Sequence, residues 1–393
     1  MSATFDDAYD RTATRSTKWD AYETYLKVPS GPDVLPMWVA DMDFPAPDFL
    51  TDAVRDLADK GDFGYFAHVD TMCDAIVWWM QTRHNWTVDP AHITPVLSLG
   101  NAIAMAIQTW SNPGDAVAIM TPVYHEFASK IARNGRTVTE LPLLTDGPRF
   151  EMDLAAWETR LTGKERILLL CSPHNPGGRV WSASELDGVA AFCARHDILL
   201  VSDEVHHDIV LPGETFTPTA HVLAGHNVRF VAMTSASKTF SIAGSRLGTV
   251  IIADQALRNA FRHTVHCSDI APNLLGTVLT RAAYSPQGAA WVDDMNAYIA
   301  GNVAAFKAAI DTIPGAKMSD LEGTYLAWVD FSGTGLNDAD LWARVTGEAK
   351  IVPSPGLPFG TGGSQGLRFN LGTQRANVLE AGERLKRAFS DLQ

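Results

Sequence analysis

A chain of 393 residues is too long for one simple core and fits two or three lobes. With 46% apolar and 19% charged residues, 11 Trp and 17 Phe, it can fill a large core, which excludes a disordered chain. The 31 Lys and Arg against 45 Asp and Glu leave a net charge of −14 with no basic block, which sets aside nucleic acid and anionic membranes as partners and otherwise signifies solubility.

The first residues, MSATFDDAYDRTATR, carry acids and no apolar stretch, so they do not read as a secretory signal. No apolar run approaches the roughly 20 residues needed to span a bilayer. Cys73, Cys171, Cys193 and Cys267 lie far apart without a C-x-x-C pair. They read as reduced, mostly buried thiols of a cytoplasmic protein. There is no internal repeat.

Residues 1–47 are rich in Pro and aromatics and weakly periodic. Five apolar runs follow further along: DAVAIMT (115–121), RILLLCS (166–172), DILLVSDE (197–204), RFVAMTS (229–235) and GTVIIA (248–253). Unbroken runs of this length predict strands covered on both faces, as in a parallel sheet. Between them SASELDGVAAFCARH (182–196) sets Leu186, Val189, Ala190 and Cys193 on one helical face, with Ser182 or Ser184 as cap. The alternation predicts an α/β large domain over 48–284. From 285 the chain reads as helix, the strand YLAWVDF, a Pro/Gly loop PSPGLPFGTGG, and a final strand and helix. This predicts a smaller α+β lobe of 285–393 joined by 1–47, with the chemistry in the cleft between lobes.

Candidate functional residues fall at the ends of these elements. In SLGNAIAMAIQTW (98–110), the backbone N–H groups of Gly100, Asn101 and Ala102 open a helix and suit an anion, although ordinary capping is the plainer reading. Tyr124, after the next strand, can stack on an aromatic ring or simply fill the core. Asn175 in SPHNPGG is by itself a turn. Asp203 ends an apolar strand, where open α/β sheets bind ligands; read alone it is a helix N-cap or a surface ion pair, but a buried carboxylate there needs a partner such as a cofactor's pyridinium nitrogen. Glu204, His206 and His207 could suggest a metal, but no further residue completes a ligand spacing, so no metal is expected. Lys238 in TSASKTF is by itself a lysine of the exposed kind, but with Ser235, Ser237 and Arg246 nearby it combines an amine that burial would deprotonate with hydroxyls and a guanidinium suited to phosphate. Arg368 in QGLRFNLGT can clamp a carboxylate or form a rim ion pair. Trp38, Tyr65 and Phe359 could wall a pocket, although Trp38 and Phe359 could equally pack in the core.

The ordered set resembles the fold-type-I pyridoxal 5′-phosphate (PLP) enzymes of the class I/II aminotransferase superfamily, over nearly the whole chain. Its marks are SPHNPGG at Asn175, VSDE at Asp203, SASKTF at Lys238, Arg246 eight residues on, and RFNLG at Arg368. PMWVADMDFPAP (36–47), FGYF (63–66), SDEVHHD (202–208), SKTFSIAG (237–244) and GTYLAWVDF (323–331) are similar to the MalY/PatB-type carbon–sulfur β-lyases. His206 stands where aminotransferases usually carry Tyr, as the lyase branch often does. Arg246 follows the aminotransferase pattern and keeps transamination as the alternative; a regulatory binding protein on the same fold is the reading from another class.

The resemblance implies an α/β PLP-dependent transferase fold, with a mostly parallel seven-stranded sheet between helices. It makes Lys238 the Schiff-base lysine and the base at the substrate Cα, and it pairs Asp203 with the pyridinium nitrogen. Asn175 and His206 would reach the ring oxygen, with Tyr124 stacked over the ring. Phosphate would be held by Gly100, Asn101, Ala102, Ser235, Ser237 and Arg246, with Tyr65 entering from a second subunit of a homodimer. Arg368, with Asn175 and Trp38, would take the substrate. The implied substrates are cystathionine and other cysteine S-conjugates; the natural thioether and its pathway, methionine biosynthesis among them, stay open.

Overall fold

The computed structural model describes residues 5–67 and 69–392, so the outermost residues 1–4 and 393 of the expected small lobe lie outside the described residues. Its principal sheet has seven strands: β1 Ile93–Val96, β2 Ala116–Ile119, β3 Thr137–Glu140, β4 Glu165–Cys171, β5 Leu199–Asp203, β6 Phe230–Thr234 and β7 Gly248–Ile251. Their spatial order is β1-β7-β6-β5-β4-β2-β3, and β7 alone runs against the others. This is the mostly parallel sheet that the resemblance implied.

All five apolar runs are strands, and β4 shows why they are unbroken. Ile167, Leu169 and Cys171 point into one core with the helix Leu99–Trp110, while Leu168 and Leu170 point into another with the helix Ala183–Arg195. Each such side chain contributes about 1.5–3 kcal/mol through burial. The strands that carry no apolar run, β1 and β3, are the two edges of the sheet. ITPV contains a proline and TVTE is polar and partly exposed, which only an edge tolerates. Of the two candidate caps of the 183–195 helix, Ser182 is used: its hydroxyl accepts from the Glu185 N–H and Glu185 Oε2 accepts from the Ser182 N–H.

A second, antiparallel sheet orders Ser354–Pro355, Gly366–Asn370, Leu326–Asp330 and Lys317–Met318 side by side, with Arg368 opposite both Trp328 and Ser354. The long helix Pro286–Ile310 joins the two regions. Its Trp291, Val292 and Met295 pack in the core beneath the principal sheet, and its Phe306 and Ile310 pack under the second sheet. Leu35–Pro36 adds a parallel ladder to Ile351–Val352, and the chain then runs along the seam between the sheets. There Asn370 Nδ2 donates to the carbonyls of Val39 and Asp41, at 2.6 and 2.7 Å. Behind it, Lys18 Nζ and Asp43 form a buried 2.5 Å ion pair that Trp19 Nε1 joins at 2.7 Å. This fastening gives the segment 38–41 a fixed backbone to present to the site. No helix among the described residues is long and apolar enough to cross a membrane. Among the cysteines, Cys267 is exposed rather than buried, because it sits at the polar end of the 255–267 helix.

Candidate active site

The carboxyl ends of β4, β5 and β6 lie next to one another and deliver Asn175, Asp203 and Lys238. Asp203 is 7% exposed. Its side chain accepts one hydrogen bond, from the Val205 N–H at 3.2 Å, and among the described residues no cation stands within ion-pair distance. Burial pushes its carboxyl up to about 7, against the opposing pull of that N–H and of Lys238. Such a carboxylate lacks a cationic N–H donor, and the cleft side is where one would enter.

Lys238 lies on a helical turn after β6, with the Phe240 N–H bonded to the Ala236 carbonyl at 3.0 Å. Its amine touches the cleft and donates to the Ala40 carbonyl at 2.8 Å. The surrounding protein pushes its ammonium below the ordinary lysine value, with Arg368 adding to the fall and Asp41 and Asp203 opposing it. The amine is therefore easier to deprotonate than a surface lysine.

Arg368 is 3% exposed and has no anionic partner among the described residues. Nη1 donates to Asn175 Oδ1 at 2.9 Å, and Nη2 donates to the Trp38 carbonyl at 2.6 Å and Ser354 Oγ at 2.9 Å. Nε has no partner, and the guanidinium lies 5.1 Å from the centre of the Phe359 ring. Burial pushes it down to about 10, so it keeps its charge at neutral pH. A buried guanidinium without an anion is costly, and it is the form a carboxylate receptor takes before its ligand arrives.

Asn175 is buried and shares its side-chain oxygen with Arg368, while its carbonyl accepts from the Tyr124 N–H at 3.0 Å. The half-buried Tyr124 ring stands edge-on to His125 and Phe127, and burial pushes its hydroxyl up to about 12, so it stays a neutral phenol. His206 is buried with Nδ1 unpartnered, its ring against Tyr325 at 6.0 Å. Burial holds its imidazole well below the usual value, with Lys238 and Arg368 adding to the effect, so it is neutral. Asn175, Asp203, His206, Lys238, Arg368 and Tyr124 thus share one cleft.

The anion-binding end differs in detail from the expectation. The helix starts at Leu99, and Ser98 caps it: the Asn101 N–H goes to Ser98 Oγ at 3.2 Å and the Ala102 N–H to the Ser98 carbonyl at 2.9 Å. Of the three N–H groups named from the sequence, only that of Gly100 is left free by the described residues, because a serine cap satisfies the first turn. Asn101 Oδ1 is buried without a partner. Ser235 and Ser237 hydroxyls lie 2.7 Å apart and share the Leu247 carbonyl. Arg246 is exposed, with its guanidinium bonded to none of the described residues. Tyr65 is fully exposed and lies beside Phe63, Phe66, Val69, Ala271, Pro272 and Leu274, outside its own chain's cleft.

Trp38 enters through its backbone rather than its ring. The carbonyl takes Arg368, while the indole Nε1 donates to the Lys18 carbonyl at 2.9 Å and the ring packs against the cluster of Tyr22, Val28 and Val352. The aromatic wall is therefore Phe359, which underlies the guanidinium, and not Trp38. Ala40, Ser354 and Asp41 also belong to the site and were not singled out from sequence. A carbonyl acceptor leaves no side-chain signature; only the position of PMWVADMDF beside the other motifs pointed there.

The unsatisfied groups describe what would fill the cleft. Asp203 lacks a cation, Arg368 an anion, and Asn101 Oδ1 and His206 Nδ1 lack partners. The paired Ser235 and Ser237 hydroxyls, the Gly100 N–H and the Arg246 guanidinium are groups of the kind that suit a phosphate. A ring with a protonated nitrogen, a phosphate tail and a nearby amino acid carboxylate fits this set, and the residues are those PLP requires.

The chain matches the model of the family described as aminotransferase class I and II over residues 32–385. The chain belongs to that family. Over 98% of its length it is 36% identical to cystathionine beta-lyase PatB of Bacillus subtilis (strain 168), all of which is covered. It is 31% identical to Protein MalY of Escherichia coli (strain K12) over 95% of both chains. Cystalysin from Treponema denticola, whose crystal structure contains a pyridoxal 5′-phosphate cofactor, superposes with a TM-score of 0.93 at 30% identity, with both chains fully covered.

One expected result concerns Asp203 alone. Its carboxyl is more basic folded than unfolded, so the folded apoprotein binds the extra proton between the unfolded value near 4 and about 7. The contribution is therefore favourable below that window and is lost as pH rises through it. The unfolding free energy of apoprotein carrying Asp203→Asn should gain on the parent as pH rises from 4 to 7.5, by an amount on the order of a few kcal/mol. Equal pH slopes for the two would contradict the assignment.

Proposed function

We propose that this chain is a PLP-dependent carbon–sulfur β-lyase, which cleaves cystathionine or related cysteine S-conjugates to a thiol, pyruvate and ammonia. The observation that carries the reading is Arg368, a buried guanidinium without an anion that shares Asn175 at the cleft. Full-length likeness to PatB and MalY supports the lyase branch over an aminotransferase.

When bound, PLP supplies an electron sink for charge that develops at the substrate Cα. Lys238 would hold it covalently, and Asp203 would keep a proton on its ring nitrogen. His206 and Asn175 would offer neutral donors to its ring oxygen, and Tyr124 would cover one face. Gly100, Asn101, Ser235, Ser237 and Arg246 would take the phosphate end. Arg368 fixes the substrate carboxylate and thereby the direction of the Cα–H bond. Lys238 Nζ, freed by substrate amine and poor at holding its proton, takes the proton from Cα. With a thioether sulfur on Cβ, the C–S bond breaks as that charge collapses, the sulfur leaves with the electron pair as a thiolate, and water converts the remaining three-carbon fragment to pyruvate and ammonia.

The same reading makes the functional unit a homodimer. Fully exposed Tyr65 and its apolar neighbours suit burial against a second copy, in which Tyr65 would reach the partner's phosphate end. The division into a large lobe of 48–284 and a small lobe of 1–47 with 285–393 sets the cleft between them, and free thiols fit a cytoplasmic setting.

A leaving group on Cβ is the chemical requirement, and it is testable. L-Cystathionine should give pyruvate, while L-methionine, whose sulfur sits one carbon farther out, should give none. Equal pyruvate from both would overturn the β-elimination reading.

A further inference from the structure

Below the Lys238 turn lies a polar cluster that the proposed chemistry does not use. His84, His207 and Asp208 are buried with their ligand-type atoms within 4.8 Å of one another. The carboxylate is already saturated. Asp208 Oδ1 accepts from Trp79 Nε1 and lies against His84 Nε2, both at 2.9 Å. Oδ2 accepts from Thr239 Oγ1 at 2.9 Å and lies 3.2 Å from His207 Nε2. Three hydrogen-bond contacts and the nearby His207 imidazole crowd the two oxygens, which marks the cluster as a polar anchor.

The protonation states agree with that geometry. The Asp208 carboxyl is held far below its ordinary value by His207 and His84, against the cost of burial. His207 is raised, chiefly by Asp208 against its own burial, and His84 is pushed down to about 4 by burial. Asp208 therefore favours the protonated form of His207, while His84 beside it is neutral. Glu204 approaches through its carbonyl, which meets His207 Nδ1, and Thr234 Oγ1 lies 3.0 Å from the same nitrogen.

Asp208 is fixed from the far side as well, since Asn296 Nδ2 donates to its carbonyl at 2.8 Å. Its one bond toward the cleft runs to Thr239, the residue after Lys238, and Thr239 is fully buried. We propose, resting on the lyase reading above, that Asp208 is a positioning residue which holds the Lys238 turn through the Thr239 hydroxyl. The carboxylate fastens the turn to the helix Asp70–His84, and the Asp208 carbonyl ties the residue to the helix Pro286–Ile310, so that the lysine amine faces the Cα proton and not the protein interior.

The test compares Thr239→Val with Thr239→Ser, each measured 20 °C below its own melting midpoint. Thr239→Val should lower kcat about 10- to 100-fold with KM little changed, as for a misplaced reacting group. It should slow capture of added PLP by the Lys238 amine of the apoprotein, read from growth of the lysine-linked absorbance, by a similar factor. Thr239→Ser, which keeps the hydroxyl, should recover both. Trp79→Phe removes a donor from the same carboxylate away from the turn; it should lower the melting midpoint and leave the capture rate within about twofold of wild type. If Thr239→Val does not fold, Thr239→Ala is read the same way. A capture rate and kcat unchanged in the hydroxyl-free variant, or lowered equally in Trp79→Phe, would overturn the proposal. Failure of the lyase reading shows separately, as wild-type protein that binds PLP but releases no thiol.

Discussion

Replacing Lys238 by Ala should abolish the lysine-linked absorbance and lower thiol release by more than about 10⁴-fold, the scale of losing both nucleophile and base. The argument is one of supply. Among the groups that face the cleft, Tyr124 is a neutral phenol with its hydroxyl pushed up to about 12, His206 is a buried imidazole, and Arg368 keeps its charge. Among the described residues at the cleft, Lys238 carries the amine whose proton is made labile by burial. Folding should not suffer, because the substitution removes a desolvated charge whose single hydrogen bond runs to the Ala40 carbonyl. A protein that used this fold only to bind a regulator would keep that binding in the Lys238→Ala variant. Absorbance, thiol release and a melting curve on one sample separate these outcomes.

Arg368→Met should lower kcat/KM for L-cystathionine by about 10²- to 10³-fold, the loss expected when a buried charge pair with substrate is no longer made. The effect should fall mostly on binding and orientation of the carboxylate, while the lysine-linked absorbance survives. In the free protein the change has the opposite sign. The guanidinium lies 3% exposed without an anion and with Nε unsatisfied, so an unbranched apolar side chain of similar length relieves a desolvation penalty. The melting midpoint should therefore rise by a few degrees as activity falls, a trade typical of a site held ready for its ligand. A variant both inactive and strongly destabilised would mean that Arg368 is a structural hub and not a receptor.

Most of the sheet was legible because its central strands are covered on both faces. Such strands must be apolar through their middles, as ILLL in β4, LLV in β5 and FVAM in β6 are. Edges obey a weaker rule, which is why ITPV and TVTE carry no comparable signal. The reversed direction of β7 left no trace in GTVI, since strand direction is set by connections and not by composition.

For the cleft, the legible part was the side chains that carry charge at strand ends: Asp203, Lys238 and Arg368. The illegible part was backbone. Trp38 drew notice for its ring and contributes its carbonyl, and the cap on the 99–110 helix took two of the three N–H groups assigned to an anion. The Asp208 cluster was equally hidden. SDEVHHD shows His207 and Asp208 side by side, but His84 and Trp79 come from a helix more than 120 residues away and reach Asp208 only through the fold.

The most direct measurement is to incubate purified protein with PLP and L-cystathionine, without any 2-oxo acid, and count pyruvate and free thiol per subunit. The lyase reading predicts equal amounts of both over many turnovers, with the lysine-linked absorbance restored once substrate is consumed. Conversion of the cofactor to its amine form in a single turnover, without thiol and reversible by an added 2-oxo acid, would contradict it and mark the protein as an aminotransferase.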